Sequence, residues 1–297
     1  MATTYTNIAK NQWKTTFWIT FFISFVIAVG YVMSKALDIY WIFPLAIGFA
    51  VLQAVSSYWW SDKIALAVSG ATEVNKQAEP ELYRLVENLS IASGLPMPRV
   101  YVIEDGAPNA FATGRNANHA AIAVTRGLIQ KLSKPELEGV IAHEFSHIGN
   151  DDILLSTAIV ILVGVVVMVS DWFLRISFWG GDDDNKNPYI MLAGIALALL
   201  SPLFATLIQL AISRKREFLA DASGALLTRN PNGLADALAK ISADKEPLET
   251  ANKATAHMYI SNPLRDHRGS ARGWFAGIFS THPDPEERIK RLREMAG

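Results

Sequence analysis

The sequence predicts a mainly α-helical membrane protein, in which four transmembrane helices carry an α+β domain with a small β-sheet. Two observations favour this fold class. Hydrophobic residues make up 51% of the 297 residues, and they are concentrated in four long apolar runs rather than spread evenly. The segments between these runs have the mixed composition and the regular periodicity of water-soluble helices and strands.

Residues 1–60 are predicted to form an N-terminal transmembrane hairpin. The apolar run Phe17–Met33 is long enough to span a bilayer, and a second run, Ile39–Tyr58, follows a short turn. Trp59 and Trp60 end the second run, and aromatic residues of this kind suit a membrane interface. A cleaved signal peptide is the alternative for the first run, but the run is long for one and no small-residue cleavage site follows it.

Residues 153–213 are predicted to form a second transmembrane hairpin. Its spans, Ile153–Leu174 and Tyr189–Ile212, are both long enough to cross a bilayer, and Pro202 is expected to kink the latter. A buried helix of a soluble domain is the alternative for each span. Runs of this length with so little charge favour the membrane.

Residues 61–152 have the composition of a soluble α+β unit. Glu79–Ser93 predicts an amphipathic helix that ends at Gly94. Three extended segments follow and predict a small sheet, with a polar turn between the last two: Arg99–Ile103, Asn109–Gly114 and Ala120–Thr125.

The stretch H-E-F-S-H lies in the last predicted helix of this unit. Ser133 supplies an N-cap with Glu136 three residues later, and apolar residues then recur at helical spacing. His143 and His147 therefore share one helix face, about 5–6 Å apart at their Cβ atoms, so that both rings can bind one Zn²⁺. Glu144 lies beside them, where it can take a proton from an attacking water. This is the H-E-x-x-H pattern of metalloproteases.

A third ligand must come from far along the chain, because the segment after His147 lacks the glycine-spaced histidine of metzincins. Residues 214–297 follow the last predicted span. This part is predicted to be helical and to complete the same domain. Glu217 begins a helix that leaves the fourth span, much as the H-E-x-x-H helix leads into the third, so both approach one membrane face. The alternative for Glu217 is an ordinary acidic helix start beside Arg216. Asp221, one turn later, is placed to accept the free N–H of a ligating histidine.

The distribution of basic residues predicts the orientation in the membrane. Near the ends of the four spans, seven lysines and arginines lie on one side and three on the other. This bias places both termini and the H-E-x-x-H helix in the cytoplasm. The seven are Lys10, Lys14, Lys63, Lys76, Arg214, Lys215 and Arg216, and the three are Lys35, Arg175 and Lys186.

Charge and cysteine content exclude several classes of protein. The formal net charge is −1 and no basic run is interleaved with aromatic residues, so nucleic acid is not expected as a partner. The absence of cysteine excludes disulfides, thiolate zinc sites and cysteine nucleophiles. Nothing in the sequence specifies an oligomeric state.

Four motifs carry a resemblance to a known family: H-E-F-S-H at 143–147, R-E-F-L-A-D at 216–221, N-A-F-A at 109–112 and S-T-H-P-D-P-E-E-R-I at 280–289. Together with the four-span layout, they make nearly the whole chain resemble the HtpX family of membrane zinc endopeptidases and, more distantly, the CAAX prenyl endopeptidases. The resemblance implies a zincin-like catalytic domain that binds one Zn²⁺ through His143, His147 and Glu217.

The resemblance also implies roles for other residues. Glu144 would be the catalytic carboxylate, and Asp221 would support a ligating histidine. His282 and Arg288 would line the substrate side, although on the residues alone His282 would be taken for a surface residue beside a helix. The edge strand that pairs with substrate backbone, otherwise a plain sheet edge, would consist of Asn109, Ala110, Phe111 and Ala112.

These features predict a multi-pass protein of the inner (plasma) membrane that cleaves unfolded or damaged proteins at the cytoplasmic face. By resemblance, its substrates would be membrane proteins and also soluble ones, and its role would be protein quality control. One alternative is a non-catalytic membrane scaffold or transport protein with an incidental metal site, against which Glu144 argues. Another is an intramembrane site-two-type protease, but the polar residues around the motif would be costly in hydrocarbon.

Overall fold

A computed structural model describes residues 4–36, 38–158, 214–244, 246, 248, 258–260 and 283–297. Of the predicted third span only residues 153–158 are described, and they are helical. The rest of that span, the predicted fourth span and His282 lie outside the described residues.

The chain begins with a hairpin of two helices, α1 (Thr4–Ala36) and α2 (Ile42–Trp59). They pack along each other, with Tyr31 of α1 edge-on against Phe43 of α2. Among the described helices, α2 alone is long and apolar enough to cross a membrane, whereas the apolar stretch of α1 is shorter. The first two predicted spans thus coincide with described helices, and one of them meets the length and composition of a membrane span.

A four-stranded sheet follows the hairpin. The three predicted strands are present with nearly the predicted bounds, while β1 was not predicted because three residues are too few to show periodicity. The strand order is β1-β2-β4-β3; β2 and β4 are parallel, the other pairs are antiparallel, and β3 lies at an edge. The elements are α3 (Ser61–Val68), β1 (Ala71–Glu73), α4 (Pro80–Ser93), β2 (Arg99–Ile103), β3 (Ala110–Thr113), a 3-10 turn (Ala117–His119) and β4 (Ala121–Thr125).

Both faces of the sheet are buried. Alternate strand residues such as Val100 and Ile122 belong to a core shared with α4 and α6. The residues between them, such as Tyr101 and Phe111, belong to a second core closed by α3 and by Tyr259. The sheet therefore lies inside the domain, with β3 close to the helix that carries the H-E-x-x-H motif.

Five helices complete the described chain: α5 (Arg126–Lys131), α6 (Lys134–Gly149), α7 (Arg214–Thr228), α8 (Pro231–Ala243) and α9 (Pro285–Ala296). The predicted capping box of α6 is present, and the Glu136 carboxylate accepts a hydrogen bond from the Ser133 N–H at 2.6 Å. Asp284 likewise caps α9 by accepting from the Glu286 N–H. Local sequence signals thus fix where these helices begin.

Helix α7 packs directly on α6, and Gly224 makes the close approach possible. A Cβ atom at this position would lie 3.0 Å from the His143 backbone nitrogen and 3.1 Å from the carbonyl carbon of Ala142. Such distances are tighter than ordinary van der Waals contact, and backbone atoms cannot move aside as a flexible side chain can. Gly224 therefore brings α7 close enough for its side chains to reach those of α6.

Candidate active site

The middle of α6 carries the H-E-x-x-H motif into the interior of the domain. Helices α7 and α8 and strand β3 surround it. His143 and Glu144 are 1% and 3% exposed, and the His147 side chain is 16% exposed. Since polar side chains are seldom buried without partners, each of these groups calls for a chemical explanation.

Three side chains converge in a group that could hold a metal ion, which we call the metal-ligand group: His143, His147 and Glu217. The Nε2 atoms of His143 and His147 lie 3.1 Å apart. His143 Nε2 lies 3.8 Å from Glu217 Oε2, and His147 Nε2 lies 3.5 Å from Glu217 Oε1. In a tetrahedral zinc site with bonds of roughly 2.0–2.1 Å, neighbouring ligand atoms are about 3.3 Å apart. The three donors are therefore spaced so that one tetrahedral metal ion could bind all of them, and Glu217 lies where a third ligand was predicted.

His143 is supported by what we call the inner His–Asp–Arg chain, made of His143, Asp221 and Arg288. The Nδ1 of His143 lies 3.0 Å from Asp221 Oδ1, which directs Nε2 toward His147 and Glu217. Arg288 forms a two-point ion pair with Asp221, at 2.8 Å from Nε and 2.6 Å from Nη2. Burial alone would raise the pKa of Asp221, but Arg288 and His143 outweigh it and lower this pKa to about 2.

His147 is supported by an outer His–Asp–Arg chain, made of His147, Asp152 and Arg216. The Nδ1 of His147 lies 3.3 Å from Asp152 Oδ2, and the Arg216 Nη1 donates to Asp152 Oδ1 at 2.9 Å. Burial alone would lower the pKa of His147, but the carboxylates of Asp152 and Glu217 raise it to about 9. Sequence analysis did not assign Asp152 or Arg216 to the site. Asp152 follows His147 by five residues, whereas Arg216 is brought to Asp152 by the packing of α7 on α6.

Glu144 follows His143 on α6 and is buried next to the metal-ligand group. Its charge is close enough to raise the pKa of both His147 and Arg288. A buried carboxylate beside a candidate metal site is the placement that a general base requires. The structure therefore brings Glu144, the two histidines, Glu217 and Asp221 together, as the sequence predicted for one site.

The predicted substrate strand lies at the edge of the sheet. Asn109 is hydrogen-bonded to Thr125 of β4 through its backbone N–H and carbonyl, so the next residue, Ala110, directs its backbone outward. By the same alternation, Ala112 also faces outward. The Ala110 carbonyl accepts a hydrogen bond from the Ile260 N–H.

Arg288, predicted for the substrate side, is 1% exposed and bound to Asp221. One of its nitrogens also donates to the Ile260 carbonyl at 3.3 Å. Within the described residues, Arg288 thus contacts both Asp221, which lies beside His143, and the Ile260 carbonyl next to the edge strand.

Comparisons with known proteins agree with this geometry. The profile of Peptidase family M48 matches residues 76–296. A protein described as "Protease HtpX homolog" from Tropheryma whipplei (strain Twist) is 48% identical over 236 residues, covering 79% of each chain. Homologues of the same description from Caldanaerobacter subterraneus subsp. tengcongensis and Methanocaldococcus jannaschii are 46% and 47% identical over 242 residues. Each alignment covers 79% of this chain; it covers 78% of the Caldanaerobacter relative and 82% of the Methanocaldococcus relative.

Among solved structures, the crystal structure of S. mikatae Ste24p matches 96% of this chain and 66% of its own, with a TM-score of 0.48 and 18% sequence identity. The family assignment rests on the sequence relatives and on the matched profile, which spans most of the chain and includes every residue of the metal-ligand group. The chain accordingly belongs to Peptidase family M48 and is a metalloprotease of the HtpX type.

Proposed function

We propose that the chain is a zinc-dependent endopeptidase of the inner membrane, which cleaves unfolded or damaged proteins at the cytoplasmic face as part of quality control. The observation that carries the proposal is the convergence of His143, His147 and Glu217 beside a buried Glu144. Neutral imidazoles and a carboxylate are the donors of catalytic zinc sites, which keep a further position for water or substrate.

The donors would hold one Zn²⁺ per chain. When bound, the ion supplies Lewis-acid activation of the scissile carbonyl and of the attacking water. Glu144 takes the proton of that water and passes it to the departing amine, as a buried carboxylate next to the reacting atoms can do. Asp221 and Asp152 accept the Nδ1–H groups of the two histidines and so keep both Nε2 atoms available as ligands.

The substrate would lie along β3. The edge segment would be Asn109, Ala110, Phe111 and Ala112, in which the backbone groups of Ala110 and Ala112 face outward and an extended peptide would pair with them. Strand pairing uses backbone atoms, which every unfolded segment offers. This supports a protease whose substrates are chosen mainly by unfolding rather than by a long sequence motif. His282, outside the described residues, is proposed to line the same track.

Two observations support a site near the membrane surface. Helix α2 is apolar, and large side chains such as Leu45 and Leu52 are exposed on it, as a helix facing lipid requires. The turn after β3 touches the end of this helix, with the Arg115 guanidinium 4.5 Å from the centre of the Trp59 ring. The cytoplasmic side follows from the bias of lysine and arginine among the flanks of the spans.

Zinc analysis combined with cleavage of an unfolded reporter tests the proposal. Glu144→Gln should keep zinc, because the amide preserves the shape of the carboxylate, and should lose cleavage because the base is gone. Glu138→Gln on the same helix is the matched control and should cleave normally. Alanine at His143, His147 or Glu217 should lower zinc occupancy. Near-normal turnover by Glu144→Gln, or bound zinc without cleavage by the wild type, would contradict the proposal.

Labelling of single cysteines tests the orientation, since the chain has no cysteine of its own. Asn118 is exposed in the turn after β3, and Asp183 lies in the segment between the third and fourth predicted spans. Cysteines at these two positions should react from opposite sides of the membrane in intact spheroplasts and inverted vesicles. Reaction of both from the periplasmic side would overturn the cytoplasmic assignment.

A further inference from the structure

Three residues of the chain's own C-terminal part, Met258–Ile260, lie at the outer edge of β3. All three are buried, and Ile260 is 2% exposed. The Ile260 N–H donates to the Ala110 carbonyl at 3.0 Å, which is the kind of bond that a strand added to this edge would make. The segment therefore occupies part of the track proposed for substrate backbone.

The carbonyl of Ile260 is hydrogen-bonded to Arg288, which also lies near the metal-ligand group. It accepts from Arg288 Nη1 at 3.3 Å, and the same nitrogen lies 3.9 Å from the Glu217 carboxylate. The other terminal nitrogen of Arg288 lies 3.5 Å from Nδ1 of His143. One guanidinium thus joins the Ile260 carbonyl to two of the three candidate ligands, so a single side chain separates Ile260 from the metal-ligand group.

The last two side chains of the segment enter different cores. Tyr259 belongs to the second core and meets Phe111 edge-on, with ring centres 5.2 Å apart. Ile260 belongs to the main core, together with Val140 and Ile141 of α6. A large aliphatic side chain is therefore already held in an apolar pocket of the core that α6 shares.

We propose that Met258–Ile260 is an internal substrate mimic and that the pocket holding Ile260 selects a large aliphatic residue of the substrate next to the cleaved bond. This inference rests on the proposed endopeptidase function. A substrate amide can pair with the Ala110 carbonyl only when the Ile260 N–H leaves it. The internal segment therefore competes with every substrate.

The size of this competition can be measured through binding. When a site is free for only a fraction of the time, the apparent dissociation constant rises by the inverse of that fraction. Weakening the internal segment should therefore tighten the binding of a peptide added from outside. A residue that merely fills the core would have no such effect.

The probe is a fluorescent peptide with the sequence of residues 257–262, His-Met-Tyr-Ile-Ser-Asn. Its binding is measured by anisotropy on the full-length chain carrying Glu144→Gln, so that the peptide is not cleaved. Adding Ile260→Ala should tighten binding by about tenfold, because the pocket and the Ala110 carbonyl become free more often. Ile260→Val should do so by about two- to threefold, and it keeps the test open if the alanine variant does not fold.

Leu292→Ala is the matched control, because Leu292 is 1% exposed in the same core but has no bond to the edge strand. It should leave peptide binding unchanged. A second control is the same peptide methylated on the isoleucine nitrogen, which cannot donate to the Ala110 carbonyl and should bind at least tenfold more weakly.

Equal binding of both peptides, or no gain in either Ile260 variant, would overturn the inference. The binding measurement does not depend on cleavage, so failure of the proposed endopeptidase function is recognised separately, by a wild type that does not cleave the reporter. If both hold, the wild type should also cleave the reporter preferentially next to isoleucine, leucine or valine.

Discussion

The inner and outer His–Asp–Arg chains support the two histidines of α6 in the same chemical way but in different surroundings. In the inner chain, the histidine and arginine side chains are both 1% exposed, whereas in the outer chain they are 16% and 13% exposed. The two aspartates are equally buried, at 5% exposed each, whereas water reaches the partners of Asp152 but not those of Asp221. The comparison leads us to expect that one arrangement orients both histidines in the same way but stabilises the fold more strongly in the inner chain.

Asp221→Asn is expected to have the largest effect, because it removes the charge that compensates the buried Arg288. Loss of one partner from a buried ion pair costs about 3–5 kcal/mol of unfolding free energy. Zinc affinity should fall as well, on the order of 10–100-fold, because the Nδ1–H of His143 loses its carboxylate. Thermal unfolding in detergent and zinc titration measure the two effects. A variant as stable as the wild type would mean that burial does not distinguish the two chains.

Gly224→Ala should have the next largest effect, and it should act on the inner chain. The added methyl group would press on the backbone at His143, and overpacking of this kind costs about 1–3 kcal/mol. Moving α7 outward also separates Glu217 from the histidines, so zinc occupancy should fall. Gly48→Ala on α2 is the control, since a Cβ there meets nothing within 4 Å. Equal zinc occupancy in the two variants would show that the close approach is not needed.

Acid should weaken the inner chain in particular. The pKa of Asp221 is lowered from its ordinary 3.8 to about 2, so this carboxylate stabilises the fold above pH 4, and the stabilisation is lost as the pH falls toward 2. The loss should be on the order of 2 kcal/mol, from about 1.4 kcal/mol per pKa unit. Unfolding measured at pH 5 and pH 3 should show a smaller difference in Asp221→Asn than in the wild type. Asp152→Asn serves as the matched variant of the outer chain and should keep the wild-type difference.

Asp152→Asn should have the smallest effect on stability, about 1 kcal/mol, because water can reach its partners His147 and Arg216 and a solvated ion pair contributes less than a fully buried one. Zinc affinity should still fall by about tenfold, because His147 loses the acceptor of its Nδ1–H. The ratio of the two effects is the informative quantity. A stability loss equal to that of Asp221→Asn would show that the outer chain is as essential to folding as the inner one.

Local signals in the sequence predicted the longer helices and three of the four strands around the H-E-x-x-H motif, but not the short elements α3, β1 and α5. The capping box at Ser133, the stop at Gly94 and the strand Arg99–Ile103 are all present as predicted. The spacing of His143 and His147 on one helix face follows directly from helical geometry. Such features depend on neighbours within a few residues, and for this reason short-range periodicity and capping chemistry reveal them.

The choice of partners for these residues could not be predicted with the same certainty. Glu217 and Asp221 were candidates on topology and on the resemblance, while spacing alone left Glu217 open to an ordinary helix-start role. Asp152 and Arg216, 64 residues apart, showed no signal as a pair, because ion pairs between distant elements depend on how helices pack. Arg288 was predicted for the substrate side, but the structure also shows it buried against Asp221, 67 residues away in the chain.

The sequence by itself determined the motif, the helix that carries it and the chemistry of its side chains, because these depend on residue type and on contacts within a turn or two. Only the tertiary structure decided how closely α7 approaches α6, which histidine is the more deeply buried and which backbone segment lies on the edge of β3. These are properties of packing. The missing Cβ at Gly224 permits the close approach of α7, and the hydrogen bond from Ile260 joins its segment to β3. Neither feature has a periodicity that a sequence can display.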